Sequence, residues 1–116
     1  YLDNGLVMAG GSDAPVESFN PWVGIFAAVA RQDMNCYPAE GYHPEEKVSV
    51  YDAVCMYSRN VAYANGQLDV LGSIEAGKFA DMVVIDRDIF AIPEQEIKDI
   101  QVLNTYLAGK EVYHRV

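Results

Sequence analysis

The sequence predicts a mixed α/β chain, and three observations carry that expectation. An apolar run at residues 6–9 closes on Gly10, Gly11, Ser12 and Asp13, the pattern of a buried strand ending in a turn that bears one acid. Asn20 and Pro21 then open a stretch in which Trp22, Ile25, Phe26 and Val29 recur at helical spacing. The rear of the chain has short apolar runs separated by turn residues, which reads as β-rich. An α/β part and a β-rich part therefore meet near Gln67, giving segments 1–66 and 67–116.

Each element follows from local chemistry. Asn20 suits a helix cap and Pro21 the first helical position, where a missing N–H costs nothing. Arg31 sits near the end of that helix, where a cation complements the dipole. Residues 32–47 carry no period and hold Pro38, Gly41 and Pro44, so a long loop is expected. Ser49 and Asp52 resemble a capping box, with Asp in place of Glu or Gln. A single helix is expected from there to Ala64, burying Val50, Val54, Tyr57, Val61 and Ala64, with Asn65 and Gly66 as its stop. Short strands are expected at residues 71–75, 80–86, 102–107 and 111–114, with an acidic helical turn after Pro93. Gly109 and Lys110 suit a tight hairpin between the last two strands.

Composition bounds the function. The 116 residues suffice for one modest core but not for a closed (β/α)₈ barrel, which needs about 200. With 51% hydrophobic and 22% charged residues the chain is globular in type. A net charge of −9 repels polyanions, which argues against nucleic acid and against an anionic membrane surface as partners. No apolar run reaches the roughly 20 residues that span a bilayer, and no signal-peptide pattern is present, so a cytoplasmic location is expected. The chain opens on Tyr1 rather than methionine, as expected of a processed chain or a piece of a longer one. Cys36 and Cys55 lack metal-type spacing; free thiols are the default, with a disulfide left open.

Asp13 is the candidate catalytic residue. A lone acid at the tip of a buried strand is where α/β enzymes place reacting groups, although an ordinary turn or cap is the simpler reading of such a residue alone. Gly10 and Gly11 would let the backbone approach a metal or substrate, and Ser12 would either steer Asp13 or merely turn the chain. His43 reads as a solvated loop histidine and His114 as a surface residue. Pairing Cys36 with His43 as nucleophile and base has no geometric support in the sequence. The acids Glu94 and Glu96 read as an exposed helix start.

Four phrases occur in order: GSDAPV, NPWVGIFAAVAR, LGSIEAGKFADMVVIDRDIF and VLNTYLAGKEVY. Together they resemble the C-terminal end of the metal-dependent amidohydrolases, in the branch called amidohydrolase family 3 or YtcJ-like, which includes N-substituted formamide deformylases. The segment GSIEAGKFADMVVID carries the resemblance most strongly. It implies the last strand and helices of a TIM-type (β/α)₈ barrel in residues 1–66, followed by the tail of a composite β-sandwich domain in 67–116. The parent would use Zn²⁺ or another divalent metal, held by a His-x-His pair and further ligands that this sequence lacks. Asp13 matches the acid at the end of the eighth barrel strand, a catalytic proton carrier and a metal ligand in the intact parent. His43 and His114 match no ligand position. Hydrolysis of a non-peptide C–N bond in a small amide or formamide is the implied reaction, with the isolated chain inactive. The alternative is a non-catalytic folded fragment. An orphaned barrel strand leaves backbone groups and apolar faces uncovered, so self-association is expected.

Overall fold

Local capping fixes the first long helix. In the computed structural model, which describes residues 1–116, α1 spans Pro21–Ala30. Asn20 Oδ1 accepts the Trp22 N–H at 3.1 Å, as its position predicted. One face buries Trp22, Ile25, Phe26, Val29 and Ala30. Arg31 ends the helix at φ 57°. Its side chain then ties back the following loop, donating to the Tyr42 carbonyl at 2.9 Å. Within that loop Pro44–Glu46 forms one short 3₁₀ turn.

The expected single helix to Ala64 is two: α2 at Val50–Met56 and α3 at Arg59–Ala64. Ser49 caps α2, its Oγ accepting the Asp52 N–H at 3.0 Å and donating to the Asp52 carboxylate at 2.6 Å. The break falls at Tyr57 and Ser58, where the backbone leaves helical values. Ser58 Oγ donates back to the Val54 carbonyl at 2.7 Å, a bond that competes with the helical ladder and bends it. The break also resets the helical phase. Ala53 and Ala62 are the fully buried positions, Val54, Tyr57 and Val61 are half-buried, and Ala64 is exposed.

Residues 71–75, expected as a strand, form a bend and irregular backbone instead. Gly72, at φ 89°, lies so close to α3 that a Cβ there would stand 2.8 Å from the Ala62 Cβ. The chain at this point packs on a helix and has no strand beside it. The sheet is β1 (Met82–Ile85), β2 (Val102–Leu107) and β3 (Lys110–His114), antiparallel in the order β1-β2-β3. The hairpin turns one residue earlier than expected, on Ala108 and Gly109, both at positive φ (49° and 77°). That pair of signs is the type I′ turn, whose twist matches the flanking strands.

The core lies off to one side. It joins the buried face of α1 and Ala53 to Ile89, Ile97 and Ile100, the last two at and just after the 3₁₀ helix Glu94–Asp99. Only Ile85 and Val102 of the sheet pack against it; Val83 is 50% exposed and every residue of β3 is exposed. The buried strand expected at residues 6–9 is absent, and Leu6 and Val7 are about half exposed (53% and 51%). The apolar run is real, but nothing in the chain lies beside it as a strand, so no ladder forms. No helix is long and apolar enough to cross a membrane.

Candidate functional site

The approach to Asp13 is held by the helix break. Gly10 N–H donates to the Met56 carbonyl at 2.8 Å, and Asn60 Nδ2 donates to the Met8 carbonyl at 2.9 Å. The chain then turns through Ser12 and Asp13. Val16 N–H donates to the Asp13 carbonyl at 2.9 Å and Glu17 N–H to the Ser12 carbonyl at 3.3 Å. Asp13 sits at φ 50°, a left-handed conformation that Asp tolerates better than most residues. Both bonds that close this turn are main-chain bonds, so the exposed Asp13 carboxylate has no part in closing it. Ser12 likewise contributes its carbonyl. Gly10 faces Tyr57: a Cβ there would stand 2.6 Å from the Tyr57 ring. A Cβ on Gly24 would strike the same ring's hydroxyl, so the two glycines make the slot that Tyr57 fills. Beside Gly11 the space is open.

The other candidates stand apart. His43 Nδ1 lies 2.8 Å from Glu45 Oε1, both exposed, and this hydrogen bond holds the Glu45 carboxyl below its ordinary range. His114 contacts Asn104 on the sheet at 2.9 Å. Cys36 and Cys55 are both free. No three His, Cys, Asp or Glu side chains gather closely enough to hold a metal ion. Since a catalytic zinc takes about three protein ligands, the residues of this chain do not by themselves fit one.

The sequence reading missed Met56, Tyr57 and Asn60 as supports of the Asp13 loop. Tyr57 was legible only as an apolar helix position, and the Asn60 bond spans 52 residues with no local signal. The segment with the most specific resemblance proves to be scaffold in this chain. Lys78 Nζ donates to Ser73 Oγ at 2.7 Å and closes the loop, and Asp81 accepts the Ala108 N–H at 2.7 Å at the hairpin tip. An apolar cleft of about 740 Å³ separates α1 from the sheet, lined by Trp22, Ile25, Tyr57, Val83 and Val102 among others. Asp13 does not line it.

Comparison with known proteins bears on this arrangement. The model of the amidohydrolase family matches residues 1–113. The chain is 40% identical over 114 residues to the N-substituted formamide deformylase of Arthrobacter pascens, covering 98% of this chain and 20% of that protein. It is 32% identical over 114 residues to YtcJ of Bacillus subtilis (strain 168), covering 98% of this chain and 22% of that protein. The crystal structure of an amidohydrolase from Thermotoga maritima MSB8 superposes with a TM-score of 0.69 at 28% identity, over 98% of this chain and 24% of that one. The chain thus spans about a fifth of the curated relatives it matches. By sequence along nearly its whole length, and by fold, this chain belongs to the amidohydrolase family.

Proposed function

We propose that the chain is the C-terminal portion of a longer hydrolase that cleaves non-peptide carbon–nitrogen bonds in small amides or formamides, with Asp13 as its proton carrier. In this reading residues 1–66 close a (β/α)₈ barrel and residues 67–116 are the tail of a β-sandwich. The observation that carries it is the uncommitted Asp13 carboxylate. A turn or capping aspartate spends its oxygens on nearby backbone N–H groups, as Asp33 does with those of Asn35 and Tyr37. Asp13 is held in place by other groups and leaves its oxygens to solvent.

The chemistry assigned to it is proton transfer. As water adds to the amide carbonyl carbon, an Asp13 oxygen takes one of its protons. When the C–N bond breaks, the same oxygen returns that proton to the departing amine nitrogen. An amide side chain at this position could do neither. This chain's own donors do not fit a metal, so any Zn²⁺ or other divalent ion would rest on ligands elsewhere in the longer protein. The formamide substrate class is suggested by the name of the Arthrobacter relative. Two free cysteines are compatible with a cytoplasmic location.

The test is Asp13→Asn in the longer polypeptide, assayed on a panel of formamides and acyl amines. The expected result is a fall in kcat of about 10²–10⁴-fold, the range for loss of an acid–base group. Unchanged hydrolysis would remove Asp13 from the reaction. The 116-residue chain alone should hydrolyse none of the panel. A second reading, a non-catalytic and self-associating fragment, draws support from the exposed Leu6, Val7, Val83 and Val84.

A further inference from the structure

We infer that the break between α2 and α3 is a positioning device for the Asp13 loop, with Asn60 as its positioning residue. In an extended segment the carbonyl of one residue and the N–H two residues on point to the same side, which is how a strand meets its neighbour. Met8 offers the carbonyl and Gly10 the N–H. Within this chain no strand takes them. The helix break supplies both partners instead: Asn60 Nδ2 donates to Met8 at 2.9 Å, and the Met56 carbonyl accepts from Gly10 at 2.8 Å.

The break is what makes this possible. In an unbroken helix the Met56 carbonyl would take the main-chain N–H of Asn60, four residues on. Here Tyr57 and Ser58 turn their N–H groups back to Val54 and Cys55, at 3.2 Å each, and the Met56 carbonyl is left for Gly10. The Tyr57 ring, seated between Gly10 and Gly24, fills the adjoining space and blocks a sideways shift of the segment. Two hydrogen bonds and one ring thus fix a stretch that ends three residues before Asp13. An acid can serve as a proton carrier only if its approach is fixed within a fraction of an ångström.

The catalytic half of this inference rests on Asp13 acting as proposed above; the clamp itself does not. Its test uses amide hydrogen exchange at Gly10 in the longer polypeptide, with the Phe26 and Val29 amides of the core as internal references. Asn60→Asp keeps the size and loses the donor; Asn60→Ala is the second variant should the first not fold. Exchange at Gly10 should quicken at least tenfold in either, with the core amides unchanged. Unaltered exchange at Gly10 overturns the clamp. In the longer hydrolase the same variants should lower kcat about tenfold and leave KM within twofold. Quickened exchange with unchanged kcat overturns the positioning role. If instead Asp13→Asn leaves hydrolysis intact, the catalytic reading fails while the exchange result stands on its own.

Discussion

Ala108 holds a backbone conformation, φ 49°, that costs an L-residue with a Cβ on the order of 1 kcal/mol. Its N–H is fixed by Asp81 and its neighbour Gly109 is at φ 77°, so the turn cannot relax by moving elsewhere. Asn followed by Gly is the pair that a type I′ turn favours. Ala108→Asn should therefore raise stability by about 0.5–1 kcal/mol, read as a higher denaturant midpoint with an unchanged slope. At this scale the sequence was legible where a residue type and a local position together define a role. Asn20 and Ser49 as helix caps are examples. Asn60 and Tyr57 were illegible because their partners, Met8, Gly10 and Gly24, lie tens of residues away and set no spacing.

The β1–β2 ladder ends on a reciprocal clasp. Gln101 N–H donates to the Asp86 carboxylate at 2.9 Å, and Asp86 N–H donates to the Gln101 carbonyl at 3.1 Å. The Gln101 N–H, and secondarily Arg87, holds the Asp86 carboxyl below its ordinary value. A group whose folded value is depressed contributes stability above its unfolded value, about 3.9, and loses it as pH falls through the folded one. Urea titrations from pH 6 to pH 2 should show the stability gap between the native chain and Asp86→Asn shrinking below about pH 4. A gap constant with pH would mean that the charge of Asp86 adds nothing. The difference matters because Asp33 and Glu45 are lowered too, by the Tyr37 and Asn35 N–H groups and by His43, and contribute in both proteins.

At the level of elements, α1 and the hairpin were legible because caps, turn residues and periodicity agree. The α2–α3 break was not. Val50, Val54, Tyr57 and Val61 keep helical spacing straight through it, and the contact that exploits the break comes from Gly10. The strand expected at residues 6–9 shows the converse: a pattern present in the sequence whose pairing partner is not in the chain.

The molecule is loosely drawn for its length. Its radius of gyration is 14.8 Å, against about 13.4 Å for a typical domain of this size, and 11 of its 116 residues are buried. Leu6, Val7, Val83, Val84 and Val112 stand open to water, and β3 presents an unpaired edge. Size-exclusion chromatography over a concentration series should show the chain moving from monomer toward dimer or larger species. The shift should grow with salt, because a net charge of −9 opposes contact between copies at low ionic strength. A monomer at every concentration and salt would count against it.

The off-centre core has a consequence for how the chain is made. Its two halves, the face of α1 and the isoleucines around residues 89–100, are far apart in the sequence. A nascent chain leaving the ribosome would hold Trp22, Phe26 and Val29 uncovered until Ile97 and Ile100 emerged. Chaperones that grip greasy unfolded stretches would find a long opportunity on α1.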